Sequence, residues 1–424
     1  MHNSTKTTWR KVKLGEVASK ITKGTTPTTL GKRFTLSGIN FIKAESITDD
    51  GRFIPSKFEH IDQETNEILK RSKVQENDIL YSIAGVIGRP AFVNKEILPA
   101  NTNQALAIIR INLDKAEPKY VYYFLSSKRQ RIYSNNLVAQ SAQPNINLEQ
   151  VSGFEFEIPN LDTQKRIADI LSAFDDKIEL NNKISKNLEQ TVQAIFKEWF
   201  VNFKFPGYEK VKMFDSELGK IPKGWEVKKI KDAVKIQKGL SYSSSEISDK
   251  ATGIPMLNLA NFLRGGGFNS SGIKYYSGRY KETDLVQSGD IIIAMTDLTS
   301  NREVVGHPAR VPSYSHWDKI IISLDVCAIK TEEVLKDFLY YLMMRKDFSF
   351  RMASSAGGTN IAHLSKATIE DYIFVLPDRD LLKQFHNFVD PIIVSKNKYE
   401  VENQKLAAVR DLLLPKLISG EIKV

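Results

Sequence analysis

A single cysteine, Cys327, stands among the 424 residues, so no intrachain disulfide and no cysteine-rich zinc site can be built, and a reducing cytoplasmic setting is expected. Long apolar runs are missing too: nowhere do about 18 uninterrupted apolar residues occur. The polar start Met1–Thr8 lacks the hydrophobic stretch of a signal peptide, so neither secretion nor a membrane span is expected. The chain also lacks a GxxxxGKS or GxxxxGKT phosphate loop, a GxGxxG after a strand, an HExxH pair and an Asn-Pro-Pro-aromatic run of the kind amino-methyltransferases use. Its six histidines and Cys327 show no metal-ligand spacing. Pro377-Asp378-Arg379-Asp380 offers two carboxylates, but at an expected helix start, where exposed N–H groups favour Asp for structural reasons. Catalysis by this chain alone is therefore not expected.

What is present reads as a folded protein: 42% hydrophobic and 26% charged residues are near the averages for soluble domains. Sixty Lys and Arg against fifty Asp and Glu give a net +10. That excess is uneven. Residues 1–158 carry 22 basic and 16 acidic side chains and residues 219–377 carry 21 and 17, whereas residues 159–218 (9 and 10) and 378–424 (8 and 7) are nearly neutral. Two basic bodies thus alternate with two neutral connectors, a distribution compatible with a polyanionic partner such as nucleic acid.

The chain also repeats itself. Trp9 aligns with Trp225, Leu14 with Ile230, Ile21 and Gly24 with Ile236 and Gly239, Val74-Gln75-Glu76-Asn77-Asp78 with Val286-Gln287-Ser288-Gly289-Asp290, and Gly88-Arg89-Pro90 with Gly306-His307-Pro308. The series continues through Tyr123 over Tyr341, Pro159 over Pro377 and Ile167 over Phe385 to Ile195 over Leu413. A period above 200 residues means tandem domains and not a solenoid.

Each connector reads as one long helix. The first starts at Asp162 or Thr163, expected N-cap residues, and runs without Gly or Pro to Phe205. Ile167, Phe174, Leu188 and Ile195 fall on a seven-residue stride completed by Asn181, and Leu171, Ile178, Val192 and Trp199 on the next, with Ser185 in the gap. The second repeats the stride with Phe385, Ile392, Tyr399, Leu406 and Leu413, with Pro391 expected to kink or restart the helix and Pro415 to end it. Two such stripes in one chain imply an antiparallel coiled coil with one polar layer, a rod of roughly 57 Å. The basic bodies are mixed α/β, with strands expected at Asp78–Ile83, Ala105–Ile111, Asp290–Ala294 and Ile320–Ile329 and helices at Tyr120–Ile132 and Val334–Met352. The fold class is therefore mixed α/β: two tandem domains, 1–158 and 219–377, each followed by a helical spacer, 159–218 and 378–424.

Small, polar loops at Lys23–Thr29, Gly85–Arg89, Ala100–Gln104, Ser241–Ser245 and Thr296–Arg302 suit groove contacts, Arg on guanine edges, Asn or Gln on adenine edges, Lys, Ser and Thr on phosphates. The DNA-contact candidates are Lys23, Arg89, Asn103, Gln104, Gln143 and Asn145 in the first domain, and Lys238, Tyr242, Asn301, Arg302, Thr359 and Asn360 in the second.

Leu14-Gly15-Glu16-Val17 opening the first unit, Ile221-Pro222-Lys223-Gly224-Trp225 opening the second, Gln164-Lys165-Arg166-Ile167 to Asp175-Asp176-Lys177-Ile178 leading the central helix and Leu412–Ile422 closing the chain carry a resemblance. Over essentially its whole length the sequence resembles the specificity subunit of a type I restriction-modification enzyme. The resemblance implies two target-recognition domains, each reading one half of a bipartite double-stranded DNA site, held apart by two paired helices that set an unread spacer. It also implies two modification subunits that bind S-adenosylmethionine and methylate adenine N6, restriction subunits that use ATP and Mg, and no cofactor in this chain. The helix surfaces outside the seam are then docking faces for modification subunits, with Phe196, Trp199 and Phe200 as candidate anchors, although Trp199 lies on the seam stride and fits a core position at least as well. Two other classes remain open at this stage: a free-standing two-domain DNA-binding scaffold or regulator, and a single-chain enzyme of unusual sequence.

Overall fold

The computed structural model describes residues 9–139, 145–248, 250, 252–299, 301–314, 317–358 and 361–424. The chain divides into two compact units. The first ends at Leu180 and takes back Asn403–Val424, and the second runs Asn181–Glu402. Both boundaries fall inside the long helices, so each unit owns one of the two α/β domains and about half of each helix.

In the first unit the strands are β1 (Arg10–Lys13), β2 (Ala18–Lys23), β3 (Ile39–Ile42), β4 (Glu59–Ile61), β5 (Ile79–Ser82), β6 (Pro90–Phe92), β7 (Ala100–Thr102), β8 (Leu106–Ile111) and β9 (Glu155–Ile158), with helices α1 (Pro118–Ser126) and α2 (Lys128–Ala139) between β8 and β9. The order β2-β8-β5-β6 makes a four-stranded antiparallel sheet, β4-β3-β7 a three-stranded one, and β1 closes on β9. Side-chain alternation sorts these into layers. Ile79, Tyr81, Ala107, Ile109 and Ile111 face a core shared with Tyr120, Val121 and Phe124, while Leu80, Leu106 and Ile108 face Ile42, Val74 and Ala100. Ala100–Thr102, expected as a loop, is the fully buried β7, paired in parallel with β3. The single helix expected at Tyr120–Ile132 is broken at Ser127, whose extended backbone ends α1 and whose hydroxyl accepts the Gln130 N–H at 3.2 Å.

The central helix α3 (Leu161–Phe196) follows β9 and leaves through a π-turn, Lys197–Val201. Its cap is Asn160, whose Oδ1 accepts the Thr163 N–H at 2.9 Å, and not the expected Asp162 or Thr163.

The second unit holds β10 (Met213–Ser216), β11 (Gly219–Pro222), β12 (Glu226–Lys229), β13 (Lys235–Lys238), β14 (Ile247–Ser248), β15 (Ile254–Leu257), β16 (Lys274–Tyr276), β17 (Leu285–Val286), β18 (Ile291–Ala294), β19 (Thr296–Asp297), β20 (Pro308–Arg310), β21 (Ile320–Ile322), β22 (Val326–Lys330), β23 (Ala362–His363) and β24 (Ile373–Leu376), with α4 (Glu333–Met343) and α5 (Lys346–Ser355). The order β13-β22-β18-β20 repeats the four-stranded sheet of the first unit, β14-β16-β15-β21-β17 stands where the three-stranded one did, and β12 closes on β24. Ile320–Ile329 reads as one strand in sequence but forms two, β21 and β22, in different sheets, split by the turn at Ser323–Asp325. The break between α4 and α5 at Met344–Arg345 likewise divides the helix expected over Val334–Met352. Cys327 lies buried on β22, and burial pushes its thiol up to about 12, as for a structural residue.

The last helix, α6 (Arg379–Ile418), runs through both Pro391 and Pro415, against the expectation that it would restart at one and stop at the other. Each proline forfeits one backbone hydrogen bond, but Val389 lies beside Pro391, and Leu414 and Leu417 flank Pro415, all buried in the cores of their units. Burial there outweighs one lost bond. In the first unit Ile167, Ala168 and Leu171 of α3 share a core with Leu414 and Leu417 of α6, and Asp175 pairs with Arg410. In the second, Val192 and Phe196 meet Phe385 and Val389, Glu189 pairs with Lys396, and the buried Asn181 Nδ2 donates to Glu402 at 2.8 Å. Residues early in α3 pair with residues late in α6, and the converse, so in each unit the two helices form an antiparallel coiled coil. Asn181 supplies the polar layer read from the heptads.

Candidate nucleic-acid interface

In the first unit Lys23 at the end of β2 lies opposite Ala107, and Ser82 at the end of β5 opposite Leu106. The chain after β2, the chain after β5 and the segment leading into β8 therefore emerge at one end of the sheet. They are bonded together there: Gly24 N–H to Asn103 O at 3.1 Å, Ile83 N–H to Ala105 O at 2.8 Å, and Ile146 N–H to Ile83 O at 2.9 Å, with Asn145 bridged to Ala84. Lys23, Gln104 and Asn145 are exposed on this end and Asn103 is half-buried. Thr26 Oγ1 donates to Gln104 Oε1 at 2.6 Å, and Asn103 Oδ1 accepts the Ala105 N–H at 3.1 Å, so Gln104 is held by the loop after β2 and Asn103 by its own loop.

Arg89 belongs to this loop in sequence but is spent elsewhere. Its side chain is only 16% exposed, and its guanidinium pairs with Asp49 at 2.6 Å and donates to Ile47 O at 3.0 Å. Although burial works against it, the Asp49 carboxyl is held below the usual carboxylate range by Arg89 and Arg131. A base edge would have to displace these partners. Gln143 lies outside the described residues.

The second unit repeats the geometry: Lys238 ends β13 opposite Cys327, and Ala294 ends β18 opposite Val326. Lys238 and Asn301 are exposed. Tyr242 is half-buried, its hydroxyl accepting from Lys274 Nζ at 2.9 Å, with the ammonium 5.3 Å from the ring centroid. Arg302 turns inward. At a φ of 52° its Nη1 donates to Ala353 O at 2.7 Å and its Nη2 to Gly358 O at 3.3 Å, which makes it a buttress of the loop. Thr359 and Asn360 lie outside the described residues, between Gly358 and the β23 strand that pairs with β19.

Sequence reading missed Asp297, although an Asp two residues before a Thr is an Asx-turn signal. Its carboxylate accepts from Thr299 N–H at 2.7 Å, Val304 N–H at 2.6 Å and Val305 N–H at 2.9 Å. Burial works against its charge, but these bonds hold its pKa below the usual value, so the loop stays anchored at neutral pH and would release only as pH falls below the ordinary carboxylate range. Asp297→Ala is expected to cost about 2 kcal/mol and to raise protease cleavage within residues 297–305, with β18 itself undisturbed.

The proposed docking anchors need correction. Phe196 and Phe200 are 3% and 6% exposed, packed against Phe338 and Phe385 in the core of the second unit. A partner could reach them only by unpacking that core. Trp199 is half-buried, 6.0 Å from the Phe385 ring. Among the described residues no cluster of His, Cys, Asp or Glu could hold a metal ion, and no helix is long and apolar enough to cross a membrane.

Comparison with known proteins now bears on this arrangement. The profile of the type I restriction modification DNA specificity domain matches residues 6–190 and again residues 222–406. Curated relatives include the MjaIX specificity subunit of a type I restriction enzyme from Methanocaldococcus jannaschii, 26% identical over 98% of this chain and 93% of the relative, and the HindI specificity subunit from Haemophilus influenzae, 25% identical over 98% and 99%. The crystal structure of a type I restriction-modification S subunit from M. genitalium shares the fold, with a TM-score of 0.53 at 16% identity over 99% of this chain and 98% of that one. With two copies of the domain covering most of its length, the chain belongs to the type I restriction-modification DNA specificity family.

Proposed function

We propose that this chain is the DNA-reading subunit of a type I restriction-modification complex, in which each recognition domain reads one half of a bipartite site and partner subunits perform the chemistry. The observation that carries the reading is the repeated sheet end. In both units the loops after two strands and before a third converge on one surface that displays Lys, Asn, Gln or Tyr side chains. Polar side chains such as Asn103, Gln104 and Tyr242, each held by a hydrogen bond, suit base edges, and the lysines suit phosphates. Lys23, Asn103, Gln104 and Asn145 on the first domain and Lys238, Tyr242 and Asn301 on the second are the contacts this reading favours. Arg89 and Arg302 then act by holding loops.

On this reading the chain itself catalyses nothing and works in the cytoplasm. Two modification subunits supply S-adenosylmethionine-dependent adenine methylation, and restriction subunits supply ATP- and Mg-dependent cleavage. Co-expression with a candidate modification subunit, followed by mapping of adenine methylation on genomic DNA, tests it. The expected result is a bipartite motif with a fixed unread gap, one half of which changes when the loop around Gln104 is exchanged and the other when the loop around Asn301 is. Specific DNA binding by the isolated chain, with no complex and no methylation, would favour the free-standing scaffold instead.

A further inference from the structure

The reading end of the second unit carries an apolar feature that loop polarity alone does not account for. Leu298 is 70% exposed, Leu324 57% and Ile361 43%. Single exposed aliphatic residues are ordinary, but these three flank one short ladder. β19 and β23 pair with Thr296 opposite His363 and Asp297 opposite Ala362, and Leu298 directly follows one strand while Ile361 directly precedes the other. Leu324 adjoins Asp325, whose Oδ1 accepts from Thr296 Oγ1 at 2.9 Å and whose carbonyl accepts the Met295 N–H at 2.7 Å. The Asp297 carboxylate fixes the loop that follows Leu298, so the patch sits on anchored backbone.

We propose that Leu298, Leu324 and Ile361 form a thymine-methyl reader, through which the second domain recognises T in its half-site. This rests on the DNA-reading function proposed above. The patch shares its sheet end with Lys238 and Asn301, in a domain with a basic excess, so the surface around it complements a polyanion. The major groove offers one apolar group to such a surface, the C5-methyl of thymine.

The test uses the full chain in complex with its modification subunit, on duplexes carrying the mapped site. Thymines of each half-site are replaced one at a time by deoxyuridine, which removes only the methyl group. Replacement in the half-site assigned to the second domain is expected to weaken binding about fourfold per contacted methyl. In the doubly substituted Leu298→Ser, Leu324→Ser chain that sensitivity should vanish, with reading of the first half-site intact; both side chains are exposed, so folding should be preserved, and thermal melting checks it. If deoxyuridine leaves affinity unchanged throughout the second half-site, the inference is overturned while the DNA-reading function stands. Loss of modification-subunit assembly in the double variant, with deoxyuridine sensitivity unaltered, would also overturn it and make the patch a protein-docking face. Absence of any bipartite site would remove the underlying function and this inference with it.

Discussion

Asp78→Ala is expected to destabilise the first unit by about 3 kcal/mol, near the low end for breaking a buried ion pair because its partner Arg110 is a quarter exposed. Asp78 is fully buried in the turn before β5 and accepts from Arg110 Nε at 2.7 Å, Arg110 Nη2 at 2.8 Å and the Gln75 N–H at 2.7 Å. Removing the carboxylate leaves a half-buried guanidinium and the Gln75 backbone N–H without their acceptor. The repeat builds the same device: Asp290 accepts the Gln287 N–H at 2.8 Å and pairs with Lys330 and, at 3.5 Å, with Lys336. Denaturant unfolding should show the loss for Asp78→Ala, and a double change to Asp78→Ala with Arg110→Met should recover part of it, since the stranded charge is then gone. Equal midpoints for wild type and the single variant would show that the pair contributes nothing.

Gly24→Ala and Gly239→Ala should each disable one half of the reading surface. A Cβ on Gly24 would lie 1.7 Å from the carbonyl oxygen of Thr102, and one on Gly239 1.9 Å from that of Ser323. Those obstacles are backbone, so the loop after β2 or β13 must separate from the segment entering β8 or β22. The cost is about 3 kcal/mol, and the hydrogen bond from Gly24 N–H to Asn103 O, or from Gly239 N–H to Val326 O, is strained with it. Gly24→Ala should reduce discrimination in the first half-site alone and Gly239→Ala in the second alone. Gly153→Ala and Gly357→Ala, where a Cβ meets ordinary contacts or open space, serve as controls. Equal discrimination in both half-sites for each variant would mean that these loop junctions do not position the contacts.

Much of this architecture was legible because the duplication wrote it twice. Gly24 over Gly239, Asp78 over Asp290 and Leu14 over Ile230 occupy matching structural positions, the glycines at a close backbone approach, the carboxylates at a turn and the aliphatics in a core. The heptads located the helix pair and its polar Asn181 because a seven-residue stride is a local property of the chain. Local signals failed where a neighbour intervened. Ala100–Thr102 reads as a loop because Asn and Thr are polar, but Asn101 is buried against Asn66 and the Leu69 carbonyl at 2.9 and 3.2 Å, and Thr102 donates to Ile42 O at 2.7 Å. Arg89 and Arg302 read as outward contacts, whereas carbonyls and a carboxylate from segments distant in sequence claim both guanidiniums.

Composition, repeat and heptad together determined that this is a pair of tandem basic α/β domains with a seam of paired helices, since charge counts, internal alignment and periodicity depend on residue order alone. Which side chains are free to meet DNA was decided only by tertiary structure. A polar residue on a loop reaches outward or inward according to which carbonyls and carboxylates other segments bring within about 3 Å. The burial of Phe196 and Phe200, the anchoring of the Asp297 loop and the pairing of β19 with β23 all depend on such long-range neighbours.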